Sequence, residues 1–221
     1  ESMKMGTEVF HTLEKLLKTK GYSINVGNEG GFAPALQSNQ EALDLMVMAV
    51  EQSGYKLGED IKFGFDAAAS EFYDAEKGTY ELKKDHVVFS KEQMLDWIGS
   101  LFQKYPVATF EDMLAEDDWE SWVEMTKRLG DKVQIVGDDL LVTNVDRVKQ
   151  AIDLKACNAL LVKVNQIGTL TETIAAMKLS DSAGWKNVVS NRSGETEDVT
   201  IAHLVIGSGC GQIKSGSLSR S

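Results

Sequence analysis

A chain of 221 residues that is 43% hydrophobic and 26% charged has the composition of an ordinary globular protein, with room for one large domain or two small ones. Its formal net charge of −11 disfavours nucleic acid as a partner, because binding to phosphate backbones depends on Lys and Arg. No stretch reaches the roughly 18 apolar residues of a membrane span, and no signal peptide is recognisable after Glu1.

The chain is predicted to begin with one amphipathic helix, after which a unit of strand, loop and helix repeats. Five apolar residues lie on one face of that helix, namely Met5, Val9, Leu13, Leu16 and Leu17, and Gly21 ends it. The predicted strands are residues 22–26, 61–65, 107–110, 133–136, 159–162, 187–190 and 212–213, with a separate short strand at 79–82.

Signals at both ends support the helices between these strands. Capping boxes are predicted where Ser38 precedes Glu41, Ser90 precedes Gln93, and Thr169 precedes Glu172. Gly130 and Gly184 are predicted to follow helix ends, where glycine is the favoured residue.

Strands that alternate with helices predict a parallel sheet of the α/β class. Seven strands fit either a doubly wound sheet or most of a barrel. No G-x-G-x-x-G motif follows the first strand, which disfavours a dinucleotide-binding fold. A complete (β/α)8 barrel takes about 250 residues, so we predict an incomplete barrel that lacks its first strands and its closing helix.

Charged or polar residues follow almost every predicted strand. They are Glu29, Asp66, Glu111, Asp138, Lys163, the run Asn191, Arg192 and Ser193, and Lys214. In a barrel of parallel strands the carboxyl ends surround one opening, where active sites lie. We therefore expect these side chains to converge.

Asp66, Glu111 and Asp138 are the candidate metal ligands. Carboxylates that converge repel each other unless a cation neutralises them, and oxygen ligands suit Mg²⁺. The alternative is that each acid caps the helix that follows its strand, since Asp is a common N-cap residue. Acids at three strand ends around one opening favour the magnesium site.

Lys163 directly follows an apolar strand, in the segment LLVKV. A lysine in such a place is costly unless it is paired, so a special role is expected. One interpretation is a general base that removes a proton from a bound substrate. The alternative is a structural salt bridge within the barrel.

Three further strand ends could contribute to binding of an anion. Glu29 lies in the glycine-rich turn GNEGG and is either a functional carboxylate or an ordinary turn residue. Arg192 and Ser193 precede a helix predicted to begin near Glu197, and a guanidinium, a hydroxyl and free N–H groups suit a phosphate. A plain surface loop is the alternative. Lys214 could hold a carboxylate.

The histidines and cysteines give no sign of a site. His11, His86 and His203 lie away from the strand ends, so we expect structural or solvated roles. Cys157 and Cys210 have no spacing typical of a metal site, which favours two reduced thiols in a cytoplasmic protein.

Eight segments together resemble the enolase family along essentially the whole chain. They are residues 27–34 (GNEGGFAP), 66–72 (DAAASEF), 110–112 (FED), 117–119 (DDW), 137–144 (GDDLLVTN), 160–168 (LLVKVNQIG), 190–198 (SNRSGETED) and 212–216 (QIKSG). The resemblance implies that residues 1–221 are part of a carboxy-terminal enolase barrel domain, in a cytoplasmic homodimer.

The resemblance also implies the Mg²⁺-dependent, reversible dehydration of 2-phosphoglycerate to phosphoenolpyruvate. A Lys or His base with Mg²⁺ is the general pattern of the enolase superfamily. The implied catalytic residues are Lys163 and Glu29, and the implied Mg²⁺ ligands are Asp66, Glu111 and Asp138. The implied substrate-binding residues are Glu111, Asp138, Ser190, Asn191, Arg192, Ser193 and Lys214, with Arg192 and Ser193 at the phosphate and Lys214 at the carboxylate.

The chain departs from the family pattern at three positions. It has Asn191 where the family has His, Asn28 where Asp is usual and Met113 where Pro is usual. The family's amino-terminal domain and first barrel strands, which carry further metal and substrate contacts, are not in this sequence. The alternative is therefore a catalytically impaired enolase-like protein with a binding or structural role. A relative that acts on another carboxylate is disfavoured by Arg192, Ser193 and LLVKVNQIG.

Overall fold

The computed structural model describes residues 1–219, which form an incomplete (β/α)8-type barrel. The strands in chain order are β1 (Phe63–Asp66), β2 (Tyr73–Asp74), β3 (Thr79–Leu82), β4 (Val87–Ser90), β5 (Val107–Glu111), β6 (Gln134–Gly137), β7 (Ala159–Val162), β8 (Lys186–Ser190) and β9 (Ile213–Lys214). Six of them form one parallel sheet in the spatial order β1-β5-β6-β7-β8-β9, and β2, β3 and β4 form a small antiparallel sheet.

The helices lie between the strands of the parallel sheet and before it. They are α1 (Ser2–Thr19), α2 (Asn39–Gln52), α3 (Lys91–Lys104), α4 (Trp119–Leu129), α5 (Val145–Leu154), α6 (Val164–Ile167), α7 (Leu170–Ser182) and α8 (Thr200–Ser208), and a short 3₁₀ helix spans Ala69–Phe72. No helix among the described residues is long and apolar enough to cross a membrane.

A side-chain contact between strands that are not neighbours indicates that the sheet is curled. Gln134 on β6 and Gln212, just before β9, exchange two N–H···O bonds of 3.0 Å, although β7 and β8 separate them in the sheet. Side chains alternate along a strand, so Val136 shares the inner face with Gln134. It belongs to a small buried cluster with Ala159, Leu161 and Val188, while the main core packs the helices against the sheet.

The sequence located the six parallel strands to within two residues at either end. β7 has the predicted bounds, and its four residues are all buried, as expected for a parallel strand that is covered on both faces. The predicted separate strand Thr79–Leu82 is also confirmed, as the middle strand of the small sheet.

The predicted strand at residues 22–26 is wrong. Within residues 1–219 the pairing of this segment is limited to an isolated antiparallel bridge between Val26 and Phe32. The chain turns back on itself, with the Ala33 N–H donating to the Asn25 carbonyl at 2.9 Å. Val26 is 46% exposed, so its apolar side chain does not enter the barrel. The alternation of apolar and polar residues in this segment therefore belongs to a turn and not to a strand of the barrel.

Capping signals set the helix starts as predicted, with one complete capping box. At α3 Ser90 accepts the Gln93 N–H and the Gln93 side chain accepts the Ser90 N–H. At α2 and α7 the hydroxyls of Ser38 and Thr169 each accept an N–H. The predicted capping boxes are incomplete there, because the glutamate three residues later does not accept the backbone N–H of the capping residue. The helix ends at Gly130 and Gly184 are confirmed.

A buried carboxylate joins the small sheet to the barrel. Asp118, whose side chain is 1% exposed, accepts the Tyr80 hydroxyl at 2.9 Å and Lys91 Nζ at 2.7 Å. The Tyr80 oxygen accepts the N–H of Ala115, in the loop after β5. The loop that follows Glu111 is thereby fixed in place.

Candidate active site

The carboxyl ends of the parallel strands bring the predicted residues to one opening. Asp66 is in register with Glu111 across β1 and β5, and Ser190 is in register with Lys214 across β8 and β9. Asp138 directly follows β6, and Lys163 directly follows β7. The parallel direction of all six strands places these ends on the same side of the barrel.

Lys214 bridges two of the predicted metal ligands. Its Nζ lies 2.6 Å from a carboxylate oxygen of Asp66 and 2.6 Å from one of Glu111. Burial raises the pKa of Glu111 to about 7, the charge of Asp66 adds to the rise, and Lys214 opposes it. Burial lowers the pKa of Lys214, but the charges of Glu111 and Asp66 outweigh burial and raise it above its usual range.

Lys163 is paired with the third predicted ligand. Its Nζ bonds to Oδ2 of Asp138, and Oδ1 of Asp138 accepts a bond of 3.0 Å from Nε2 of Gln166. The side chains of Lys163 and Asp138 are only 15% and 8% exposed. A buried charge is costly unless an opposite charge lies beside it, and Lys163 and Asp138 provide this for each other.

A cavity of about 160 Å³ lies in the opening and is lined by predicted residues. They are Glu29, Asp66, Lys163, Ser190, Asn191, Arg192, Ser193 and Lys214. The predicted residues Glu111 and Asp138 do not line it, and each is bonded to one of the two lysines that do. Since sites for drug-sized ligands begin at about 300 Å³, this cavity suits a small metabolite.

A larger cavity of about 670 Å³ lies between α1, α2 and the loop at residues 31–36. Apolar side chains such as Val9, Phe10 and Leu45 make up most of its lining. The charged groups that could carry out chemistry converge on the smaller cavity, which is therefore the candidate site.

Three loops are bonded together around Glu29. Its carboxylate accepts the hydroxyl of Ser193, and its carbonyl accepts the N–H of Ser217 at 3.1 Å. The Gly194 N–H donates to the Asn28 carbonyl at 3.1 Å. Glu29 thus reaches the predicted place, although the strand that was predicted to deliver it does not form.

Arg192 and Asn191 use their side chains differently. Nη1 of Arg192 donates to Oδ1 of Asn165 at 3.0 Å, which fixes the guanidinium beside the cavity. The Asn191 amide, in the orientation that satisfies its neighbours, donates to the Lys214 carbonyl at 3.2 Å and accepts the Gly216 N–H at 2.9 Å. Asn191 therefore ties β8 to the end of β9.

The helix predicted near Glu197 begins later, because α8 starts at Thr200. The Thr200 N–H donates to Oδ1 of Asp198 at 2.8 Å, so an acidic side chain already occupies this end of the helix. Contacts to a phosphate would rest on Arg192 and Ser193 rather than on the helix N-terminus.

Asp112 lies next to the site, and no sequence pattern assigned a role to it. Its Oδ1 accepts the N–H of Asp138 at 3.0 Å and its Oδ2 accepts the N–H of Asp139 at 2.8 Å. Burial raises the pKa of Asp112 to about 8, although these two bonds oppose the rise. Asp112, Asp138 and Asp139 lie close enough to hold one ion. Because backbone N–H groups occupy both oxygens of Asp112, we assign it to positioning the turn after β6.

The predicted carboxylates have the chemistry that Mg²⁺ requires. Asp66 and Glu111 contact the same ammonium group, so their oxygens lie within about 5 Å of each other. Asp138 contacts Lys163 instead, so the three acids share no common partner atom in this arrangement. Carboxylate oxygens are the ligands that Mg²⁺ prefers. The pKa of Glu111 is raised by burial first and by the charge of Asp66 second, and a divalent ion could compensate both carboxylates.

The histidines and cysteines lie where the sequence indicated. His11, His86 and His203 are exposed and do not line the cavity. Cys157 is buried, Cys210 is partly buried, and both are free thiols.

The comparison with protein families agrees with this architecture. The family model described as "Enolase, C-terminal TIM barrel domain" matches residues 1–221. The match covers every strand of the barrel and all the residues that line the cavity. The chain belongs to the enolase family, through the C-terminal TIM barrel domain of that family.

Proposed function

We propose that this chain supplies the catalytic barrel of an enolase, which carries out the Mg²⁺-dependent, reversible dehydration of 2-phosphoglycerate to phosphoenolpyruvate. One observation carries the proposal: Lys163, Lys214 and Glu29 line a single small cavity whose two lysines are bonded to the buried acids Glu111 and Asp138. A base, an acid and a cation for a carboxylate are the groups that this reaction needs.

Lys163 is the proposed general base, and Glu29 is the proposed acid. As the neutral amine, Nζ of Lys163 takes the proton from C2 of the substrate, beside the carboxylate. The electron pair becomes the second C2–C3 bond as the C3–O bond breaks, and Glu29 in its protonated form gives a proton to the hydroxyl, which leaves as water. Positioned acid and base groups of this kind contribute about 10²- to 10⁴-fold each.

The remaining residues of the cavity bind and orient the substrate. Arg192 and Ser193 take the phosphate, since a guanidinium and a hydroxyl suit its oxygens. Lys214 exchanges its contacts with Asp66 and Glu111 for the substrate carboxylate. Ser190 and Asn191 complete the wall. A chain with a net charge of −11 needs such local cations to hold an anion.

Asp66, Glu111 and Asp138 are the residues that would hold Mg²⁺. When bound, the ion would offset the negative charge that develops on the substrate carboxylate as the proton leaves. Glu111 and Asp138 also lie close enough to the lysines to orient the substrate indirectly.

We further propose that residues 1–221 are one partial barrel domain of a cytoplasmic, homodimeric enzyme. Family membership supports this, and the two free thiols suit a reducing compartment. In the described sheet β1 pairs only with β5, which leaves an edge for further strands of the full-length protein. Analytical ultracentrifugation of that protein tests the dimer, since a single monomeric species would contradict it.

The test of the function is Lys163→Ala in the full-length protein. The rate of phosphoenolpyruvate formation with Mg²⁺ should fall by about 10²- to 10⁴-fold, because the base is lost. Lys186→Ala is the matched control, since Lys186 is exposed at the opposite end of β8 and should leave the rate unchanged. A Lys163→Ala protein that works at nearly the wild-type rate would show the mechanism to be wrong.

The second candidate is a catalytically impaired enolase-like protein with a binding or structural role. Asn191 favours it, because its amide bonds to the Lys214 and Gly216 backbone and cannot exchange a proton as an imidazole does. Asn191→His separates the two candidates. Substantial activity that appears only in the variant supports the second candidate, whereas turnover with Asn191 in place contradicts it.

A further inference from the structure

We propose that Thr143 and Gln166 are positioning residues, which together fix the orientation of Asp138 and the backbone of Lys163. The proposal rests on the proposed function, because it concerns residues that act through the general base and one metal ligand. Neither Thr143 nor Gln166 lines the cavity, so neither is expected to touch substrate.

The hydrogen bonds of these residues form a chain with one direction. The Asp138 carboxylate can only accept, so the group of Gln166 that faces it at 3.0 Å must be the NH₂. The Gln166 carbonyl then faces Thr143 at 3.1 Å and accepts its hydroxyl proton. That leaves the Thr143 oxygen to accept the backbone N–H of Lys163, at 2.9 Å. The Thr143 hydroxyl also lies 3.4 Å from the Leu161 carbonyl, which is a longer contact than the one to Gln166. Reversal of the Gln166 amide would place its oxygen against the Asp138 carboxylate.

The backbone at Thr143 is strained in a way that serves this chain. Val142 has a φ of +42° and Thr143 a φ of +54°, a conformation that β-branched residues rarely adopt. Thr143 is fully buried, and the Val142 N–H donates to the Asp138 carbonyl at 2.7 Å. Strain of this kind persists where the surroundings hold it and is concentrated at functional sites. Here it places the Thr143 hydroxyl within hydrogen-bond distance of the N–H of Lys163, the first residue after β7.

The consequence concerns the freedom of Asp138. Gln166 holds Oδ1, so Oδ2 is the oxygen that faces Nζ of Lys163. Without the amide the carboxylate could rotate, and it would present no fixed oxygen to a metal ion or to the base. Thr143 is needed because without its hydroxyl the Gln166 carbonyl loses its donor, and the Gln166 side chain could turn away from Asp138. Partners of this type are typically worth about 10- to 100-fold in metal affinity or activity.

The experiment compares hydroxyl and amide deletions in the full-length protein. Gln166→Leu and Thr143→Val remove the two groups at nearly constant volume, and Thr143→Ser keeps the hydroxyl. Gln134→Leu and Thr126→Val are matched controls, because they remove an amide pair and a hydroxyl bond far from the cavity. The measurements are the Kd of Mg²⁺ by calorimetry without substrate, and kcat and KM for 2-phosphoglycerate.

We expect Gln166→Leu and Thr143→Val each to weaken Mg²⁺ binding about 10-fold and to lower kcat about 10- to 100-fold, with little change in KM. Thr143→Ser should stay close to wild type. The double variant should be no worse than the more damaging single variant, because both interrupt one chain of bonds. If Thr143→Val does not fold, the comparison of Mg²⁺ affinity and kcat between Gln166→Leu and Gln134→Leu decides the proposal.

The proposal is overturned if the two deletions change Mg²⁺ affinity and kcat no more than the controls do. It is also overturned if Thr143→Ser is as damaging as Thr143→Val, or if the effects of the two deletions add. Failure of the proposed function has a different signature. A wild-type protein that binds Mg²⁺ but forms no phosphoenolpyruvate contradicts the function, and the Mg²⁺ affinities still decide the role of Thr143 and Gln166.

Discussion

The two ends of the barrel are both bound together by polar side chains, but with different chemistry. At the carboxyl end the groups are ionised, as in the contacts of Lys214 with Asp66 and Glu111. At the amino end they are neutral amides. Gln134 and Gln212 pair reciprocally, and Asn158 accepts one backbone N–H and donates to two carbonyls.

The difference separates a site for chemistry from a site for stability. The amides of Gln134, Gln212 and Asn158 have hydrogen-bond partners, so they contribute to the fold without leaving charge to be used. At the carboxyl end burial works against the charged form of Glu111 and raises its pKa. Perturbed acids and bases in a cleft are typical of functional sites. Substitutions at the two ends should therefore fail in different measurements.

Among the substitutions that compare the two ends, Lys214→Met at the carboxyl end should have the largest effect. We expect kcat/KM to fall by about 10²- to 10³-fold, because the group that binds the substrate carboxylate is lost. The variant should also melt at a lower temperature than wild type in EDTA, since Asp66 and Glu111 lose their cation, and Mg²⁺ should raise its Tm by more than it raises that of wild type.

Lys132→Met, at an exposed lysine near the amino end, is the control for Lys214→Met. It should change neither kcat/KM nor the response of Tm to Mg²⁺. A Lys214→Met protein whose Tm responds to Mg²⁺ as wild type does would indicate that Lys214 and the ion do not share these carboxylates.

Asn158→Ala tests the opposite end of the barrel. It removes bonds of 2.7 Å to the Ile135 N–H, 2.9 Å to the Gly130 carbonyl and 3.1 Å to the Val133 carbonyl. Urea unfolding should show a loss of about 2–3 kcal/mol, because backbone groups are left unpaired, with kcat unchanged in the folded protein. Asn25→Ala, in an exposed loop, should cost less than about 0.5 kcal/mol. A large fall in kcat for Asn158→Ala would show that the amino end also serves catalysis, which contradicts the division between the two ends.

The pH dependence of stability should reveal the burial of Glu111. Unfolded glutamate loses its proton near pH 4.5, and the native residue loses it near pH 7. The native state therefore binds more protons between these values, so stability of the metal-free protein should fall as pH rises through them. The contribution is on the order of 2 kcal/mol.

Glu111→Gln should flatten this decline, and urea unfolding in EDTA at several pH values measures it. Asp112, whose pKa is raised to about 8, still contributes a decline in the variant. A wild-type stability that changes between pH 4.5 and 7 to the same extent as that of Glu111→Gln would show that Glu111 titrates normally.

Sequence patterns predicted the elements whose signal is local and failed where tertiary contacts decide. β7 was predictable because a run of four apolar residues has one simple explanation in a parallel sheet. Residues 22–26 alternate between apolar and polar side chains as a strand does. Their backbone instead forms a turn, in which the Ala33 N–H donates to the Asn25 carbonyl.

The same division holds for the candidate site. The rule that polar residues follow barrel strands predicted the convergence of Asp66, Lys163 and Lys214. The roles of Asp112, Thr143 and Gln166 depend on the direction of single hydrogen bonds and on a positive φ. No periodicity encodes these features. The sequence contains one indication of the role of Asp112, which is its position directly after Glu111.

The smallest expected effect belongs to the Gln134–Gln212 pair, and it tests the amino end most finely. Gln134→Leu should cost about 1 kcal/mol in urea unfolding, because the Gln212 amide loses both of its bonds. The double variant Gln134→Leu/Gln212→Leu should cost less than the single one, since no amide is then left without a partner. A double-mutant cycle measures that coupling. If the two losses simply add, the amides do not act as a pair, and the neutral contact across the barrel contributes no more than two separate solvated side chains would.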